Sequence, residues 1–151
     1  MISSLLLREI STKVNVLNIA SNNIYFEKFL SSLNIKIFGL HDLYIGSCVP
    51  EIVITSNKTQ NIDKTIAICK HHQCNLIAVD HELKSDIIEV EKIQQKLSAI
   101  PNVLQIAVSE DIKNSWGDLH EIVLRYGNEK ELKYRWQEII LTVKQKSFIY
   151  E

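Results

Sequence analysis

Glycine and proline are scarce in this chain, four and two among 151 residues, so its connections are short and no Gly-rich linker divides it. Strong net charge is also missing: 17 Lys and Arg oppose 18 Asp and Glu, for a formal charge of −1. Without a basic face, bulk charge cannot hold a phosphate backbone, and no nucleic-acid partner is expected. No apolar run approaches the roughly 20 residues that a membrane helix needs, so no membrane span is expected. Met1–Ile10 has only the apolar patch Leu5-Leu6-Leu7 and lacks a basic leader and a cleavage site, which argues against a secretory signal. Three cysteines, Cys48, Cys69 and Cys74, make an odd number without framework spacing and fit a reducing, cytoplasmic setting. A glycine-rich turn after the first apolar run is absent, and so is a P-loop. Dinucleotide and ATP sites of those kinds are not expected, and neither is a cofactor.

What is present is a rhythm. Five short apolar runs each end in a polar cluster: Val14–Ala20 in Ser21-Asn22-Asn23, Ile35–Leu40 in His41-Asp42, Ile52–Thr55 in Ser56-Asn57-Lys58, Asn75–Val79 in Asp80-His81-Glu82, and Val103–Val108 in Ser109-Glu110-Asp111. Helix-length stretches separate most of them, and strands alternating with helices imply parallel pairing. The expected fold is a three-layer α/β sandwich with a parallel five-stranded Rossmann-like sheet. Its expected strand order is 3-2-1-4-5, with a C-terminal helix packed back on it. One domain spans 1–151, its core 14–117 and its helical tail 128–151. In such a sheet the polar clusters emerge at one edge, where open α/β sheets bind ligands.

Finer expectations follow from spacing. Residues Ser3–Ser11 suit a short helix. Asn22 or Asn23 caps a helix whose Tyr25, Phe26, Phe29, Leu30 and Leu33 face the core. His41–Val49 reads as an irregular loop. Asn61 or Asp63 opens a helix through His71. Ser85-Asp86 starts another, with Ile87, Ile88, Val90, Ile93 and Leu97 inward, stopped by Pro101. Ser109 suits the N-cap of a short helix ending near Trp116-Gly117. Leu119–Leu124 reads as a sixth extended run, and Glu129–Lys146 as an amphipathic helix with Leu132, Trp136, Ile139, Ile140 and Val143 on one face.

Chemistry concentrates at the fourth cluster. In Asp80-His81-Glu82, either the imidazole works as a general base beside carboxylates or the acids flank a turn around a half-exposed His81. A phosphate-accepting receiver needs acids after the first strand and an Asp after the third. Ser21-Asn22-Asn23 and Thr55-Ser56 stand there instead, which excludes that chemistry but not the shape. Cys69-x-His71-His72-x-Cys74 has the residue types of a zinc site. Cys69 on a helix face and Cys74 at a strand start do not converge, so the reading is a buried cysteine with solvated histidines and no metal. Glu110-Asp111 suits a helix start.

Three segments resemble the N-terminal, acceptor-side domain of GT-B-fold glycosyltransferases. Pro50–Asn57 (PEIVITSN) is similar to that domain's third strand, Cys74–Glu82 (CNLIAVDHE) to its fourth, and Val103–Trp116 (VLQIAVSEDIKNSW), closed by Gly117, to its last strand and helix. The resemblance covers about residues 14–117, and Gly127–Glu151 resembles the family's tail helix. It implies a glycosyltransferase-like domain that binds a sugar or glycan acceptor. Its catalytic residues would be His81 and Glu82, and Ser21, Asn22, His41, Asn57 and Ser109 would line the acceptor site. The family's second, nucleotide-sugar domain has no counterpart in these residues, so a partner chain would supply it as the other half of a split enzyme. The alternative is a non-catalytic interaction or assembly module of the same fold, forming a homo-oligomer.

Overall fold

Runs such as Ile-Val-Ile-Thr and Leu-Ile-Ala-Val are β-branched-rich and apolar on both faces, which suits strands covered by helices on either side. A computed structural model describes residues 14–19, 24–46, 49–125 and 128–145. The expected Ser3–Ser11 helix, Ser21, Asn22, Asn23 and Cys48 lie outside them. The elements run β1 (Asn15–Ile19), α1 (Ile24–Ser31), β2 (Lys36–Phe38), α2 (Leu40–Tyr44), β3 (Ile52–Ser56), α3 (Ile62–His72), β4 (Asn75–Asp80), α4 (Val90–Leu97), β5 (Val103–Ala107), α5 (Glu110–Ser115), β6 (Ile122–Val123) and α6 (Glu129–Gln145).

The six strands form one wholly parallel sheet of order β2-β1-β3-β4-β5-β6. This is a Rossmann-like α/β fold, and its first five strands have the flavodoxin-type order. The expected order 3-2-1-4-5 is corrected: β1, not β2, is the neighbour of β3. Handedness alone does not choose between the two orders, but burial does. Every residue of β3 is buried, so it needs a strand on each side. β2 is three residues long, with Lys36 exposed, which suits an edge. The sixth extended run is a strand, paired in parallel with β5.

Alternation divides the core into two layers. Val16, Ile52, Ile54, Ile77, Val79 and Ile106 face α1 and α6, where Phe26, Leu30, Trp136 and Ile140 meet them. Leu17, Val53, Leu76 and Ala78 face α3 and α4, against Ile62, Cys69, Ile93 and Leu97. The tail helix packs back as expected. Phe26 and Trp136 lie with ring centroids 5.6 Å apart, and Asn75 Nδ2 donates to the Val143 carbonyl at 2.8 Å.

Three local expectations fail for physical reasons. Tyr25 is 86 % exposed, because the stripe that meets the sheet is Phe26 and Leu30 on α1, continued by Leu33 just beyond it. Leu40–Tyr44 is a short helix rather than loop; the Asp42 carboxylate accepts from the Gly39 N–H at 2.9 Å and fixes its first turn. No helix begins at Ser85-Asp86. The Ile88 N–H closes a single turn on the Ser85 carbonyl at 3.1 Å, and the Lys84 ammonium donates to the Ser85 and Ile88 carbonyls across it. The helix starts at Val90, and Ile87 is exposed.

Candidate functional site

The carboxyl ends of β3 and β4 converge on a buried polar cluster. Val79 continues the apolar face toward α1, so Asp80 turns to the opposite face. There it is enclosed with Lys58, from the turn after β3, and His120, from the segment before β6. Asp80 Oδ2 accepts from Lys58 Nζ and from His120 Nε2, both at 2.7 Å, and Oδ1 accepts from the Lys58 main-chain N–H at 3.1 Å. Trp116 closes the cluster, with the Lys58 ammonium 3.9 Å from its ring centroid. The Lys58 and Asp80 side chains are 0 % and 1 % exposed, so water does not screen the pair.

Burial pushes the Asp80 carboxyl up, but the His120 hydrogen bond and the Lys58 charge outweigh it and hold it below the usual carboxylate range. Burial draws the Lys58 ammonium below its usual value against the opposing pull of Asp80. With Asp80 ionised and acceptor-only, His120 Nε2 carries the hydrogen. That leaves His120 Nδ1 without a partner, as is Trp116 Nε1.

His81 follows Asp80 but belongs to the other face. Its ring lies against Phe26, with centroids 4.7 Å apart, and its main-chain N–H donates to Asn57 Oδ1 at 2.9 Å. Asn57 takes a left-handed backbone (φ 57°), a conformation that Asn tolerates better than other non-glycine residues. Burial lowers the His81 imidazole below its ordinary value, only partly offset by Asp80, so the ring is neutral near pH 7. The expectation of an imidazole flanked by working carboxylates is not what the chain builds. Asp80 is engaged on the far face, and Glu82 is exposed.

Of the sequence-derived site residues, Asn57 and His81 are brought together. Ser109 accepts from the Ile112 N–H at 3.2 Å and caps α5. His41 is exposed on α2. Cys69 and Cys74 are both buried, and Cys74 Sγ donates to the Pro50 carbonyl at 3.1 Å. Among the described residues no group of His, Cys, Asp and Glu has the arrangement of a metal site. Sequence reasoning missed Lys58 as Asp80's partner, although both stood in the polar clusters. His120 gave no signal at all, being one histidine between Leu119 and Glu121.

A second feature lies at the carboxyl end of β1 and β2. A cleft of about 310 Å³ opens between α1 and the β2–α2 turn. Asn18, Glu27 and Ser31 form its polar wall, and Ile37, Phe38 and Leu40 its apolar one. This volume is at the small end of ligand pockets. No helix among the described residues is long and apolar enough to cross a membrane. No known family model, curated protein or solved structure matches this chain.

Proposed function

We propose that this domain binds a sugar or glycan acceptor at the carboxyl edge of its sheet, as the acceptor-side half of a glycosyltransferase-like pair whose nucleotide-sugar site lies on a partner chain. The cleft between α1 and β2 carries this reading. It sets a carboxylate, a hydroxyl and an amide opposite an aromatic and aliphatic wall. Sugar hydroxyls both donate and accept, and the C–H faces of a sugar ring are apolar, so a ligand of that kind satisfies both walls. His81 stands at the same sheet edge with a neutral imidazole, though it does not line this cleft and its Nε2 is buried. The three sequence segments that resemble GT-B acceptor domains point the same way.

The test is an amide chemical-shift titration with mono- and oligosaccharides, and separately with nucleotide sugars. Shifts at Asn18, Glu27, Ser31 and 37–40 with simple sugars, and none with nucleotide sugars, are expected. A folded domain whose spectrum no saccharide perturbs would overturn the reading. The assembly alternative draws support from Tyr44, Ile45, Leu83 and Ile87, large apolar side chains left 63–89 % exposed. Light scattering decides it: a strict monomer at high concentration removes it.

A further inference from the structure

We infer that the cleft between α1 and β2 selects a ligand bearing a protonated amine, an amino sugar in preference to a neutral or phosphorylated one. The inference rests on the acceptor reading and narrows its substrate class. The Ser31 hydroxyl gives its hydrogen to the Glu27 carbonyl at 3.0 Å, so only its lone pairs remain for a ligand. The Gly39 N–H, a donor that could have met an anion, is taken by the Asp42 carboxylate at 2.9 Å. Among the described residues Glu27 brings the one charged side chain of the lining, and no cation pairs with it. Asn18 is 7 % exposed, and its Oδ1 has no hydrogen-bond partner.

The described lining therefore presents the Glu27 carboxylate and the Ser31 lone pairs as open acceptors against one side-chain donor group, the Asn18 amide, whose own Oδ1 is buried. A phosphate there would meet a carboxylate and, among the described residues, no cation in the lining, which repels it. A neutral sugar supplies hydroxyl donors but leaves the Glu27 charge without a counter-charge. An ammonium brings three donors and the opposite charge, and hydrogen bonds of that kind are shorter and stronger than neutral ones. Room for it exists beside Gly39, where a Cβ would meet nothing within 4 Å. The apolar side, Ile37, Phe38 and Leu40, is left to the ring's C–H face.

The test is a set of parallel NMR titrations of the whole chain with glucosamine, glucose, N-acetylglucosamine and glucose 6-phosphate. They are run near pH 6, where the amine is charged, on the wild type and on Glu27→Gln. Acetylation removes the charge while keeping the ring, so N-acetylglucosamine isolates the amine's contribution. Glucosamine should bind about tenfold tighter than the two neutral sugars, the range of a charge-assisted hydrogen bond. Glucose 6-phosphate should bind weakest. Glu27→Gln should bring glucosamine down to the neutral level, with the rest of the amide spectrum unchanged as the check on folding. Equal binding by charged and neutral sugars, or an amine preference that survives Glu27→Gln, overturns the inference and leaves the acceptor reading standing. Binding by none of the four overturns both.

Discussion

Replacing Asp80 by alanine should destabilise this fold far more than replacing Lys58 by methionine, although each change removes one half of the same ion pair. Without Asp80, the Lys58 ammonium loses its 2.7 Å partner and retains only the Trp116 ring 3.9 Å away. His120 Nε2 and the Lys58 main-chain N–H lose their acceptor at the same time. Breaking a buried pair so that one charge is left uncompensated costs about 3–5 kcal/mol. Without Lys58, Asp80 keeps the His120 hydrogen bond at 2.7 Å and the main-chain N–H at 3.1 Å, which methionine also provides. The methionine chain can still lie against Trp116. The carboxylate loses its counter-ion but stays hydrogen-bonded by those two N–H donors, so the loss falls nearer that of one hydrogen bond to a charged group, about 1.5–3 kcal/mol. The double variant leaves no unpaired charge, so it should cost less than the sum of the singles, with a coupling energy of roughly 2 kcal/mol. Urea unfolding followed by the fluorescence of the buried Trp116 and Trp136 measures all three, with an unchanged m-value as the control. Equal costs for the two single variants, or strict additivity, would refute the account of Asp80 as the hub.

The same carboxylate sets a pH dependence. Asp80's folded pKa lies below its unfolded value, so its contribution is present above about pH 3.9 and lost as pH falls through the folded value; Asp80→Asn should flatten that acid limb of the stability curve. His81 also has a folded pKa below its unfolded one, so the unfolded chain protonates first and stability should fall as pH drops below about 6.5; His81→Gln should remove that slope while leaving the Asp80 limb in place. Ser109→Ala should cost about 1 kcal/mol and speed hydrogen exchange at the Ile112 amide, whose acceptor it removes. Burial pushes the Cys69 thiol up, so a thiol reagent should modify Cys69 only at the rate of unfolding; rapid labelling in native buffer would contradict the buried placement.

Local pattern explains what could be read from the residues. Strands Asn15–Ile19, Ile52–Ser56, Asn75–Asp80 and Val103–Ala107 fall on the apolar runs, because segments covered on both faces are largely apolar. The stripe Leu132, Trp136, Ile140 and Val143 is buried on α6, because helical spacing puts those positions on one side. The same logic failed at Ile87, where the chain closes one isolated turn at Ser85–Ile88, bridged by Lys84, instead of starting a helix. It also failed for Asp80-His81-Glu82. Adjacency in the chain suggested one working group, but successive side chains of a strand point to opposite faces. Asp80 and His81 therefore join different clusters.

The residues alone determined the parallel α/β class, the positions of the strands and the return of the tail helix, since each follows from periodicity within a short window. Only the tertiary structure decided that β1 sits between β2 and β3, that Asp80 meets Lys58 and His120, and that a cleft opens beside Glu27. Those depend on which distant segments become neighbours. That choice is set by burying both faces of β3 and by pairing every enclosed charge, which are properties of the assembled sheet and of no single stretch of it.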